Sequence, residues 1–524
     1  MSIERRTWWI GRLLALLLIL ISLRTAYWQL WRGLSLNPVA LNPVQAARYY
    51  ADLRGAPTPD PNTPEAASLS QLPQPVIQRT VQMLSTIQRG TIYDRDGNVL
   101  VEDQGIRGDF TRVYNEPSLA HMLGYSSAIR TGVMGLEATY NKELLGLERA
   151  DTEIDRMLHR PIVGSSLHLT IDSDIQRAAA QAVAGRPGAV VALDGKTGAV
   201  LAMVSAPGFD PNQITNTEYA ASLPDTALIN RVTQGMYTPG STFKVVTMIA
   251  GLETGTVNQN TVFDFGEPKT DGNGQVYYTL EVDGGLIYDF NHKDNRLSLQ
   301  DSLLYSANVA FAKIGLDINP DDYIAIASRL GFSTPDYTRR FPLELPVAAP
   351  QLANNVEDIR TNNLLRAHTG YGQGELLTTP LNMAMVVLAV LNDGSIPVPY
   401  MVESIHDPQG SVIRGQPNRE VVRGVMKQDT ARFTRDSMVR LATLIWGENF
   451  LPVPGATGGG KTGTAELGGN LDPHAWFIGF AEKDGRQVVI AVIMENAGSG
   501  GFVPFDIFKT VAAAALNDAP AGPE

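Results

Sequence analysis

Ser241 and Lys244 stand three residues apart in Tyr237-Thr238-Pro239-Gly240-Ser241-Thr242-Phe243-Lys244. Pro239 and Gly240 punctuate the chain. Phe243, Val246, Met248 and Ile249 then recur at near-helical spacing, which predicts Ser241 in the first turn of a helix. Residues three apart on a helix share a face, so the hydroxyl and the amine are expected side by side. That pair is a nucleophile and a base, provided something lowers the amine's hold on its proton. A lone S-x-x-K also reads as a helix cap beside a solvated lysine, because ordinary composition produces the pattern by chance about once in a few hundred residues. Chemistry therefore requires partners from elsewhere in the chain.

Two further short motifs supply candidates. Ser306-Ala307-Asn308 lies in LLYSANVAFAKIG, where two helical stretches meet, and Lys461-Thr462-Gly463-Thr464 follows a run of glycines. Burial and a nearby second cation both drive a lysine toward its neutral form, so Lys461 beside Lys244 would make the latter a base. Ser306 would relay a proton.

S-x-x-K, S-x-N and K-T-G in that order resemble the penicillin-binding proteins and serine β-lactamases. The surrounding text (RGTIYDRDGNVL, HMLGYSS, GVMGLEATY, GAVVALDGKTGAVLAMVSAPGFDPN, YTPGSTFKVVT, GYGQGELLTTPLNMA, KTGTAE, HAWFIGF) is similar to the class B, PbpA-type members over nearly the whole chain. The resemblance implies a peptidoglycan D,D-transpeptidase that cross-links stem peptides, releases terminal D-alanine and binds β-lactams covalently. It assigns Ser241 as nucleophile, with Lys244, Ser306 and Lys461 handling protons. Asn308 would hold the donor amide. Thr462, Gly463 and Thr464 would line the substrate, the Thr462 and Thr464 hydroxyls with Lys461 meeting its terminal carboxylate. The Ser241 and Thr464 N–H groups would bind the oxyanion. No cofactor is implied. Because no glycosyltransferase domain fits in residues 32–165, the resemblance further implies a SEDS-type glycosyltransferase partner. A D,D-carboxypeptidase, a β-lactamase-like hydrolase and a non-catalytic membrane scaffold stand as alternatives on the same fold.

The elements that must position these residues are partly readable. The 524 residues suffice for two to four domains, and 44% hydrophobic with 18% charged residues is ordinary globular composition. A formal charge of −12 speaks against a nucleic-acid binder. Cysteine is absent, which rules out disulfides, and the seven histidines show no metal-ligand spacing, so no metal site is expected. Residues 8–31 (WWIGRLLALLLILISLRTAYWQLW) combine an apolar run with aromatic belts and flanking arginines. They read as an uncleaved transmembrane helix that contacts membrane lipid. Arg5, Arg6 and Arg12 keep the tip cytoplasmic, which places the rest outside the cytoplasm as a single-pass protein; the resemblance implies that the membrane is a bacterial inner membrane.

The expected division is anchor 1–32, proline-rich linker 33–83, a small mixed α/β pedestal 84–165 and a large α+β transpeptidase domain 166–524. In the last, a β-sheet with strands from both ends of the domain is flanked by helices, as in serine β-lactamases. Strands are expected at 167–171, 188–193, 199–204, 476–480 and 488–494. Helices are expected at 172–183, after Gly240, and at 298–314, 323–330, 381–391, 430–444 and 505–516.

Three competing signals are set aside. Gly455 to Thr462 satisfies the P-loop pattern, but Pro452 and Pro454 precede it, and Gly468-Gly469 would stop a following helix almost at once. Lys196-Thr197-Gly198 reads as a hairpin turn. Gln373, Glu466, His474 and Trp476 read as structural.

Overall fold

The computed structural model describes residues 86–127, 132–149, 157, 160–290, 292–415, 420–469, 471–498 and 501–517. The expected anchor (8–31) and linker (33–83) lie outside them. Among the described residues no helix is long and apolar enough to cross a membrane.

The chain forms two compact units. The smaller comprises the described part of Met1–Gly90 with Asp103–Val113 and Tyr125–Gly164; the larger comprises Thr91–Glu102, Tyr114–Gly124 and Ser165–Glu524. The 84–165 stretch is thus split between the units. The Ile92–Tyr93 strand belongs with the larger because it pairs in parallel with Ser166–Leu169.

In the smaller unit, Ile87–Gln88 pairs in parallel with Ile162–Val163. Its interior holds an ion cluster. The Glu137 side chain is fully buried and accepts from Arg89 Nε at 2.5 Å and Arg112 Nε at 2.7 Å. Arg89 also donates to Asn141 Oδ1 at 2.8 Å, and Arg112 pairs with Asp103 at 3.2 Å. Burial alone would raise the Glu137 pKa; Arg112 and Arg89 outweigh it and hold the carboxyl below its usual range.

The larger unit is built on five antiparallel strands: β1 (Gly188–Asp194), β2 (Val200–Ala206), β3 (Thr457–Ala465), β4 (His474–Lys483) and β5 (Arg486–Met494), in the order β2-β1-β5-β4-β3. β1 reads GAVVALD without polar alternation because both of its faces are buried. Five helices matter here: α1 (Ser173–Val183), α2 (Lys244–Thr254), α3 (Asn308–Asp317), α4 (Gln428–Ile445) and α5 (Val503–Asn517). α1 begins where Asp172, the first residue of the expected 172–183 helix, accepts as N-cap from the N–H groups of Asp174 and Ile175. α1 and α5 cover one sheet face through Ile175, Ala179, Phe505, Phe508 and Val511, packed on Val190, Phe477, Ile490 and Val492. The helix Pro380–Leu391, buried along nearly its whole length, packs on β1, β4 and β5. The result is the expected sheet between helices.

Two elements differ from expectation. The 298–314 helix is broken into Leu299–Leu304 and α3, with Ser306 between them at φ 56°, a left-handed conformation. The K-T-G segment is a strand. A Cβ on Gly459 would lie 2.8 Å from backbone atoms of Met438 and Val439, and one on Gly458 2.3 Å from Phe480 O. The glycine run is therefore what lets α4 lie directly on β3. With no helix following it, the segment is no P-loop.

Candidate active site

Ser241 sits in a 3₁₀ turn, Gly240–Phe243, and Lys244 is the first residue of α2. The turn is pressed against β3. Gly463 faces Pro239 O, where a Cβ would stand at 2.7 Å, and Gly240 (φ 55°) faces Thr464 O at 2.4 Å. Gly372 meets Gly240 O so closely that no side chain fits. Trp476, fully buried, donates from Nε1 to Thr238 O at 3.0 Å and braces the same loop. Gln373 reaches Thr464 O at 3.4 Å. Three chain segments distant in sequence thereby meet at Ser241.

The amine of Lys244 is the centre of the site. Its side chain is wholly buried, and Nζ stands 2.9 Å from Ser241 Oγ, 3.0 Å from Ser306 Oγ, 2.6 Å from Ser306 O and 2.8 Å from Asn308 Oδ1. Lys461, only 1% exposed, places Nζ 3.1 Å from Ser306 Oγ and 3.1 Å from Thr462 O. Ser241, Lys244, Ser306 and Lys461 therefore form one continuous hydrogen-bonded line, the convergence the spacing required.

Burial pushes the Lys244 pKa well below the usual lysine range, and Lys461 pushes it further; buried Asp289 pulls the other way. Burial lowers Lys461 to about 7. Both amines are thus pushed toward the neutral form.

A neutral amine has two N–H donors and one lone pair. Ser306 O can only accept. The Asn308 amide is fixed by its own Nδ2 donating to Tyr288 O at 3.1 Å, which turns Oδ1 toward Lys244. In the neutral amine these two acceptors take the two N–H groups and leave the single lone pair for one hydroxyl at a time, Ser241 at 2.9 Å or Ser306 at 3.0 Å.

On β3, Thr462 and Thr464 share one half-exposed face, while Lys461 and Gly463 turn to the buried one. β3 is also an edge of its sheet, so its outer backbone groups can receive an extended peptide. Lys196-Thr197-Gly198 is a turn held by Asp194 Oδ1, remote from this chemistry. Among the described residues no group of three or more acidic or histidine side chains could hold a metal.

Sequence reasoning missed Asp289 and Phe311, the latter 5.9 Å below Lys244 Nζ. A signal for Asp289 existed. It shares the inward phase of Gly285–Asp289 with Ile287, whereas Leu286 and Tyr288 are exposed.

Residues 188–513 match the penicillin binding protein transpeptidase domain. The chain is 31% identical to the peptidoglycan D,D-transpeptidase PbpA of Mycolicibacterium smegmatis over 474 residues, 82% of this chain and 89% of that one. Among solved structures it is similar to penicillin-binding protein A from M. tuberculosis in its ceftriaxone acyl-enzyme complex (TM-score 0.73, 28% identity, 83% of this chain and 100% of that one). It is similar also to the D,D-transpeptidase domain of a peptidoglycan glycosyltransferase from Eggerthella lenta (TM-score 0.70, 30% identity, 82% and 98%). The match spans all three motifs and the sheet that gathers them: this chain belongs to the penicillin-binding protein transpeptidase family.

Proposed function

We propose that this chain is a PbpA-type peptidoglycan D,D-transpeptidase working through an acyl-enzyme on Ser241. The observation that carries the reading is Lys244 Nζ standing 2.9 Å from Ser241 Oγ, with Ser306 O at 2.6 Å and Asn308 Oδ1 at 2.8 Å as acceptors for the neutral amine, an arrangement that turns its lone pair to Ser241. Lys244 takes the Ser241 proton as Oγ attacks the penultimate D-alanine carbonyl carbon. The Ser241 and Thr464 N–H groups stabilise the oxyanion. As the C–N bond breaks, the proton passes from Lys244 through Ser306 to the departing amine of D-alanine. The amine of a neighbouring stem peptide then attacks the ester and Ser241 recovers its proton. Asn308 positions the donor amide. Thr462 and Thr464, with Lys461 and Gly463 behind them, receive the terminal carboxylate.

The same hydroxyl opens a β-lactam ring to a covalent adduct. Residues 8–31 anchor the chain in the bacterial cell membrane with its catalytic part outside the cytoplasm. Residues 33–83 link the anchor to the 84–165 pedestal and the 166–524 catalytic domain. A SEDS-type glycosyltransferase supplies the glycan strands.

The test is labelling of the detergent-solubilised chain with a fluorescent penicillin and intact-mass detection of the adduct. One equivalent is expected on wild type and none on Ser241→Ala. Absence of wild-type label, or persistence of label in Ser241→Ala, overturns the assignment.

A further inference from the structure

Beneath Asn308 lies a second buried group of titratable side chains that the acyl-transfer steps do not use. Asp289 ends the Gly285–Asp289 strand and is wholly buried. Its Oδ2 accepts from Val309 N at 3.3 Å. α3 has Ala307 at its N-cap and no side-chain cap of its own. Asp289 therefore supplies that cap from the neighbouring strand, at the helix end that carries Asn308. The preceding residue, Tyr288, accepts from Asn308 Nδ2. The end of one strand thus holds both the Asn308 amide and the start of its helix.

His292 faces Asp289, with Nε2 3.5 Å from Oδ2 and the two side chains 1% and 0% exposed. His292 Nδ1 lies 2.7 Å from Asp294 O. A carbonyl only accepts, so Nδ1 carries the hydrogen, and a neutral ring would turn the Nε2 lone pair toward a carboxylate. Among the described residues neither Nε2 nor Asp289 Oδ1 has a hydrogen-bond partner. Two facing lone pairs in a buried site are costly, and one proton on Nε2 converts them into an ion pair. We propose that Asp289 and His292 hold one proton between them and act, through Asn308 and Lys244, as positioning residues for the acyl transfer.

The surroundings agree. Burial disfavours a charged imidazole, but Asp289 and Asp294 outweigh it and the His292 pKa is raised. The ring is enclosed by Tyr278 at 4.9 Å, Phe265 at 4.4 Å and Tyr305 at 6.3 Å. The other charges around this pocket are Glu267 near Tyr278, Lys313 over the Phe265 ring, Lys244, and Lys461 beyond Lys244. With His292 charged, the pair presents almost no net charge to Lys244. Without it, the Asp289 carboxylate faces Lys244 uncompensated and draws a proton back onto the base.

This inference rests on the acyl-transfer reading, and one experiment separates the two. The rate of acylation by a fluorescent penicillin is followed on the full chain from about pH 5 to about pH 9, a range that spans histidine and lowered-lysine titration. His292→Gln is expected to move the acid limb upward by about one pH unit. The double variant Asp289→Asn/His292→Gln is expected to return it to the wild-type position. A limb that stays put in His292→Gln, or a double variant no closer to wild type, overturns the proposal while wild-type acylation leaves the acyl-transfer reading intact. A wild type that takes no label sinks both. Where His292→Gln does not fold, Asp289→Asn keeps an oxygen for Val309 N. Spectra of 13C-labelled histidine should then show His292 charged at neutral pH in wild type and neutral in Asp289→Asn; unchanged titration overturns the pairing.

Discussion

Ser306 holds Lys244 twice, through its carbonyl at 2.6 Å and through its hydroxyl at 3.0 Å, and it does so from a left-handed backbone. The conformation breaks the helix that the sequence would otherwise continue and turns both oxygens of one residue toward the same amine. A non-glycine residue in this region costs on the order of 1–2 kcal/mol. The strain and the chemistry are thus in the same place.

Replacing Ser306 separates them. Ser306→Gly relieves the backbone strain, keeps the carbonyl contact and deletes the relay hydroxyl. Acylation by a penicillin is expected to fall by about a hundredfold or more, the scale of a positioned proton-transfer group, while the melting temperature holds or rises. Equal acylation rates in Ser306→Gly and wild type would remove Ser306 from the proton path.

The glycines of β3 make a steric prediction. Gly459→Ala drives a Cβ into the Met438–Val439 backbone, so α4 must lift from the strand that carries Lys461. A loss of about 1–3 kcal/mol and a slower acylation are expected. Gly455→Ala meets nothing within 4 Å and bears only the strain of φ 78°. It should leave the acylation rate unchanged. Thermal melts and labelling rates of the two variants check the contrast, and equal effects would contradict the close helix–strand contact.

The chemistry of this site was more legible than its scaffold. The Ser241–Lys244 spacing, the start of α1 near Asp172 and the apolar runs of β1, β2 and β5 follow from local pattern, because each is decided by neighbours a few residues away. β3 was not legible. Its Gly458-Gly459-Gly460 run signals a turn, and only α4 packed on top explains why glycine is required there. The break at Ser306 was half legible: two helical stretches meet there in the sequence, but nothing in Leu-Leu-Tyr-Ser-Ala-Asn signals the left-handed residue. Strands such as Val276–Val282 and Gly285–Asp289 lie in Gly- and Asp-rich text whose pairing is decided by partners across the hairpin. Asp289 and His292 belong to no motif; strand phase marks Asp289 as inward, but its pairing with His292 exists only in the folded chain.

In the smaller unit, Glu137 is the shared acceptor of two buried arginines. Glu137→Gln leaves Arg89 and Arg112 facing a neutral amide, with one charge too many in a buried site. A loss of about 3–5 kcal/mol is expected for that unit, because breaking a buried pair strands its partner. Native-state hydrogen exchange at the Arg89 and Asn141 amides would report it; protection equal to wild type would show the cluster to be dispensable.

Lys461 gives a prediction with a definite sign in pH. Its pKa is lowered to about 7 in the folded chain, against about 10.4 for a free lysine. Between those values the folded chain has released this proton and the unfolded chain has kept it, so the unfolded state binds one proton more and stability rises with pH across the window. Below about pH 7 both states are charged, and the full cost of burying the cation is present. Lys461→Met removes that cost and keeps the apolar stem. The variant is therefore expected to be inactive yet more stable than wild type near pH 7, by a margin that shrinks as pH approaches about 10. Burial, the first cause of the lowered Lys244 pKa, is the same in both proteins, so the Lys244 contribution is expected largely to cancel in the difference over the upper part of the window. Denaturant midpoints of the two proteins measured every half pH unit from about pH 7 to about pH 10 check this. A margin that stays constant with pH would mean that Lys461 keeps its proton in the folded chain and stands beside Lys244 as a permanent cation.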